Sequence, residues 1–103
     1  MRFEMLHPSE NAEATYGFDP FLLFFVEVMK GSIVVEQCDA LHADGRLEGV
    51  LRVLVRHGFL DDMDVVLAHD ALAHTRDWSR IEDLGVRRAA EVLDGLRRAA
   101  DEP

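Results

Sequence analysis

Cys38 and His42 stand four residues apart, so on a continuous helix they share one face and offer a thiol and an imidazole, a pairing zinc accepts. A zinc centre needs three or four such ligands, and neither a second cysteine nor an H-x-x-x-H pair accompanies them. The simpler assignment is a half-buried thiol beside a histidine at a helix end, with no metal and no cofactor expected. His69, Asp70 and His74 form the densest polar group of an otherwise apolar stretch, and Asp70 with His74 is an i, i+4 pair able to orient an imidazole. His69 and His74 diverge by about 140° around a helix of 3.6 residues per turn, so they do not chelate together, and their spacing fails H-E-x-x-H. Asp39, Asp44, Gly45 and Glu48 resemble a calcium loop, but setting Gly45 at its sixth position puts Ala40 first and Leu51 twelfth, where carboxylates are required.

Catalytic signatures are also missing. The chain holds no G-x-S-x-G and no phosphate-cradling glycine loop, and Ser9, Ser32 and Ser79 each sit where a turn or helix cap explains them. Glu27 and Glu36 would serve a bundle-type enzyme only if both faced a core pocket. A helical sensor that gathers Cys38, His42, His69 and His74 by folding is the alternative reading.

Charge narrows the partners. Eleven Lys and Arg against twenty Asp and Glu leave a net charge of −9, which repels the phosphate backbone, so direct nucleic-acid binding is disfavoured. Residues 61–83 hold seven acids and two arginines, and Asp61, Asp62, Asp64 and Asp70 are assigned to an acidic face for a basic protein surface. Such a row could compete for a nucleic-acid-binding enzyme by charge. Arg87, Arg88, Arg97 and Arg98 have acids at helical spacing and read as an ion-pair ladder. The single cysteine permits no internal disulfide, residues 1–14 do not have the pattern of a signal peptide, and FLLFFV is far short of a membrane span of about 20 residues. A cytoplasmic setting without a membrane segment is expected, and ten Arg to one Lys suit a GC-rich bacterial or phage source.

The elements expected to position these groups are helices. Residues 1–17 mix Pro8, Ser9, Asn11 and Gly17 with few apolar side chains and read as a loosely ordered arm, leaving residues 18–103 as one helical domain. Asp19 with Pro20 suits a helix start, and Phe18, Phe21, Leu22, Phe25 and Met29 then fall on one stripe. Ile33, Val34 and Val35 after Gly31 and Ser32 permit a strand, but with no partner run in view a helix continuing to Leu41 is preferred. Asp44 opens a second helix through Leu47, Val50, Leu51 and Leu54 to Gly58. Asp61 or Asp62 opens a third along Met63, Val66 and Leu67, and the Ser79/Glu82 capping box a fourth. The expected fold is all-α, a small antiparallel bundle of about four helices.

Phe18, Phe21, Phe24 and Phe25 give the first helix more aromatic surface than one bundle helix buries easily, so Phe21, Phe24 and Phe25 are assigned to partner binding, with a homodimer expected. Function is expected to be non-catalytic: an acidic inhibitor, immunity or antitoxin-type protein, or small regulatory subunit, acting on a protein partner.

Overall fold

The computed structural model describes the backbone of residues 1–74 and 84–101 and the side chains of residues 1–70 and 85–101. Its order is β1 (Arg2–Leu6), β2 (Ala12–Asp19), β3 (Leu23–Lys30), β4 (Ile33–Cys38), α1 (Leu47–Arg56), α2 (Asp62–His74) and α3 (Leu84–Asp101). The four strands form one antiparallel sheet in the order β1-β2-β3-β4. The expected all-α bundle is therefore wrong in its first half. The supposed arm supplies β1 and most of β2, and the segment expected as one first helix from Asp19 to Leu41 is the β2–β3 turn, β3, β4 and the turn after it.

The reason lies in which period the side chains satisfy. In β2, Ala12, Ala14 and Tyr16 are buried while Glu13 is exposed, and in β3 Val26 and Val28 on the same face are buried. Tyr16 pairs with Val26 and Ala14 with Val28, so these four make one continuous inner surface. Phe3 and Met5 of β1 extend it, Phe3 stacking on Tyr16 at 5.5 Å between ring centroids. The run that pairs with β4 is β3, whose outer face carries Phe25 and Met29 beside Glu27, so the segment is apolar on both faces and shows no clean alternation. Gly31 takes φ +63 at the first of two turn positions between Lys30 and Ile33, the geometry a tight hairpin asks of glycine. A bulge between Val28 and Met29 sets Val34 across from Met29 and leaves Val35 as the extra residue.

Helices α1 and α3 cover the inner face, α1 over β3 and β4 and α3 over β2. α1 buries Val50, Leu51, Val53 and Leu54, and α3 buries Val86, Ala89, Ala90, Val92, Leu93 and Leu96. Small residues on both sides, Ala12 and Ala14 below and Ala89 and Ala90 above, let α3 approach the sheet closely. Glu36 of the edge strand accepts from Arg56 and pairs with His57 Nε2 at 2.6 Å, tying β4 to the end of α1.

His7 fastens the β1–β2 turn to the same helix end. Its Nδ1 accepts from the Ser9 and Glu10 N–H groups at 3.1 and 2.9 Å, so the proton is carried on Nε2, which donates to the His57 carbonyl at 3.1 Å. Gly58 follows with φ +77, and a Cβ there would lie 3.0 Å from His7 Nε2. The expected helix stop at Gly58 thus has a second cause, the close approach of the His7 ring from the β1–β2 turn. Among the described residues no helix is long and apolar enough to cross a membrane.

Two substitutions check this packing. Leu54→Ala removes a fully buried side chain at the sheet–helix interface and is expected to lower unfolding free energy by about 2–5 kcal/mol in urea titration. Gly58→Ala is expected to cost about 1–2 kcal/mol from backbone conformation alone, with a further loss that His7→Ala removes in a double-mutant cycle.

Candidate functional site

Turns hold the best-defined surface of the molecule. Where β2 crosses to β3, the Asp19 carboxylate accepts from the Phe21 N–H at 2.7 Å and the Leu22 N–H at 3.1 Å. Where β4 leads to α1, the Asp39 carboxylate does the same for Leu41 at 2.8 Å and His42 at 2.9 Å. Each Asp folds the backbone back on its own side chain, the local bonding that makes aspartate a turn residue. In both loops the residue two positions after the Asp is large, apolar and turned outward: Phe21 is 74% exposed and Leu41 61%.

The two loops are joined to each other. Ala40 N–H donates to the Leu22 carbonyl at 2.9 Å and Phe24 N–H to the Gly45 carbonyl at 3.0 Å. Leu23, between them, has φ +62, a conformation that is a genuine outlier for a branched bulky side chain. Its side chain leans over Gly45, where a Cβ would lie 2.9 Å from Leu23 Cβ and 3.1 Å from Ala40 Cβ. Gly45 is therefore needed for space, and Leu23, still 43% exposed, is held at the surface beside Ala40.

Three carboxylates fix the charge of this tip. The N–H groups of Phe21 and then Leu22 hold Asp19 below its ordinary range, and the Arg46 side chain followed by its N–H does so for Asp44. Burial alone would push Asp39 up, but the His42 ring and the N–H groups of Leu41 and His42 outweigh it and hold its carboxyl low. All three are ionised at neutral pH.

The candidates read from sequence are distributed unequally. Phe21 stands at the tip, Phe24 is half-buried against the core and edge-on to Phe18, and Phe25 is buried at 8% exposure, across from Gly17 and under the Arg2 guanidinium. They lie on no helix and share no face, since a strand sends Phe24 and Phe25 to opposite sides. Asp61, Asp62, Asp64 and Asp70 lie at the start and along α2, where Asp61 accepts from the Met63 N–H at 2.8 Å as a helix cap. Cys38 ends β4 with Sγ donating to the Asp44 carbonyl, while His42 turns to Asp39, so the pair expected on one helix face is separated. Glu27 and Glu36 sit on opposite faces, Glu27 on the outer one with Gln37 and Glu36 toward α1. Arg98 pairs with Asp94 as the ladder required. The Ser79/Glu82 box, the acids between residues 77 and 83, and the side chain of His74 lie outside the described residues.

Among the described residues no group of three His, Cys, Asp or Glu is placed to hold a metal ion, and no buried side-chain nitrogen or oxygen lacks a hydrogen-bond partner. Burial, then the Glu91 carboxylate, pushes the Tyr16 phenol up, which disfavours its ionised form. Sequence reasoning missed Leu23 and Leu41. The signal that marks Leu41 was legible as Asp39-Ala-Leu-His, an aspartate poised over the next two N–H groups, and Leu23 had no local signal. Comparison with protein-family models, curated proteins and solved structures finds no match for this chain.

The Asp39 turn generates a pH prediction. A carboxylate held low in the folded state adds stability that is present above the unfolded value of about 3.9 and is lost as pH falls through the lower folded value. Asp39→Asn is therefore expected to be less stable than wild type at pH 7 in urea titration. The gap is expected to close as pH is lowered below about 4.

Proposed function

We propose that this protein is a non-catalytic interaction module that grips a protein partner with the tip formed by Phe21, Leu23 and Leu41. The single observation carrying this reading is that three large apolar side chains are exposed on two loops whose backbones are bonded to each other and to their own aspartates. A mobile loop would lose backbone freedom on binding, whereas the hydrogen bonds already hold the backbone of these loops, so more of the contact energy remains as affinity. An exposed aromatic beside two leucines is the kind of anchor that dominates interface energetics.

Charge selects the kind of partner. Asp19 and Asp44 edge the tip, with Arg46 engaged by Asp44 at 3.1 Å, and the whole chain carries −9. A partner with an apolar socket rimmed by Lys or Arg is attracted and oriented by that field. Two copies meeting tip to tip would oppose their Asp19 carboxylates and bring together two chains that each carry −9, which ranks a second copy behind a basic protein. A small inhibitor or regulatory subunit acting on such a protein is the role that suits the size, charge and presented tip.

The test uses tagged protein in source cells, with bound proteins identified by mass spectrometry against Phe21→Ser and Leu41→Ser. Both side chains are largely solvent-facing, so each variant is expected to keep stability within about 0.5 kcal/mol while its recovery of the specific partner falls at least tenfold. Unchanged recovery of the same proteins by both variants would contradict the reading.

A further inference from the structure

The second helix carries an apolar face that nothing in the described fold covers. Met63, Val66 and Leu67 are 61, 59 and 47% exposed and recur at i, i+3 and i+4, so they form one stripe. The opposite side is already used, with Ala68 fully buried and Val65 packed against the core, and α2 rests chiefly on α3. A helix apolar on two sides needs cover on both.

The border of the stripe states what kind of cover suits it. Residues 61–70 contain four Asp and neither Lys nor Arg. On the helical wheel Asp62 lies to one side of the stripe and Asp64 to the other, while Asp70 continues the row beyond Met63 and Val66. Beside the stripe, a crevice of about 330 Å³ between α1 and α2 adds Leu51, Val55 and Val65, with Glu48 and Asp62 as well as Arg52 and His69 at its wall, so the acidic border is that of the stripe and not of the crevice. A second copy laid face to face would set these carboxylates against their own images, a like-charge contact that opposes self-association.

We propose that this face of α2 receives an amphipathic helix of a partner protein, its apolar side seated on Met63, Val66 and Leu67 and its flanks carrying Lys or Arg. Three apolar anchors at helical spacing between acidic borders match an apolar helix face with basic flanks, the pattern of helix recognition by apolar surfaces. The surface is separate from the Phe21 tip and does not rest on that reading.

The experiment titrates the full chain into a fluorescein-labelled 18-residue Leu/Lys peptide of helical amphipathic pattern and follows anisotropy at 150 mM salt. Comparators are a scrambled peptide of the same composition and a Leu/Glu peptide of the same pattern. Saturable binding of the patterned Leu/Lys peptide is expected. It should be weakened at least tenfold by scrambling or by Leu67→Glu, be abolished with Leu/Glu, and be unchanged by Phe21→Ser. Val66→Gln replaces Leu67→Glu if circular dichroism shows the latter unfolded. The proposal is overturned if the patterned peptide does not saturate, if the scrambled peptide binds equally, or if the folded α2 variant binds as tightly as wild type. Loss of binding with Phe21→Ser, which would move the peptide to the tip, or a wild-type dimer that Leu67→Glu converts to a monomer, which would make a second copy the occupant, also overturns it.

Discussion

Burial of one face of the sheet under α1 and α3 is the interaction on which everything else in this protein depends. Tyr16 against Val26 and Ala14 against Val28 form its floor, and Leu54, Leu93 and Leu96, all fully buried, form its roof. A strand's side chains alternate strictly, so once those four floor residues point inward the register of the neighbouring strands is fixed, because a slip of one residue would turn every inward side chain out. The same alternation sends Phe24 toward the core and Phe25 to the outer face, and it brings β3 to start just after Phe21. The exposed Phe21 is thus a consequence of the core, since the turn that presents it is where the paired register of β2 and β3 runs out.

How much of this was legible in the sequence depended on whether local signals and burial agreed. α1 lies on its expected apolar spacing, because Val50, Leu51 and Leu54 satisfy a helical period and Gly58 supplies the left-handed stop, but it starts at Leu47 with Arg46 as its cap residue and not at Asp44, whose carboxylate accepts from the Arg46 N–H in the loop before it. The sheet is hard to read because Phe18, Phe21, Phe25 and Met29 also fit a helical stripe, while two of the three residues that carry the alternation of β2, Ala12 and Ala14, are small and contribute little hydrophobic signal beside Tyr16. The pairing partner decides: Ile33, Val34 and Val35 have β-branched side chains suited to a strand, yet pairing them requires residues 23–30, which fit a helical stripe, to be a strand first. In α2 the error was one of side, since Met63, Val66 and Leu67 are the obvious packing stripe, and the residues in fact packed are Val65 and Ala68. No local rule tells two apolar helix faces apart when tertiary contact uses only one.

The candidates of residues 27–42 differ for another reason. Cys38 with His42, and Glu27 with Glu36, align only in a helical frame, and strands and turns distribute them otherwise. Asp39 took His42 and two backbone N–H groups, Glu36 took Arg56 and His57, and Cys38 took the Asp44 carbonyl. Each of these contacts serves to hold a turn or a strand end, and several converge on the loops that present Phe21, Leu23 and Leu41. Polar chemistry in this part of the molecule is therefore explained by positioning, with the apolar side chains as what is positioned.

The division between packed and presented apolar residues is the central claim, and solvent paramagnetic relaxation measured by NMR with a soluble gadolinium agent reads it residue by residue. Strong relaxation is expected for the Phe21 ring and for the side chains of Leu41, Met63 and Val66, with little at Phe25, Val26, Val28 and Leu54. A protected Phe21 beside an exposed Phe25 would contradict the register and with it the tip, and protection along Met63 and Val66 in the monomer would contradict the α2 face.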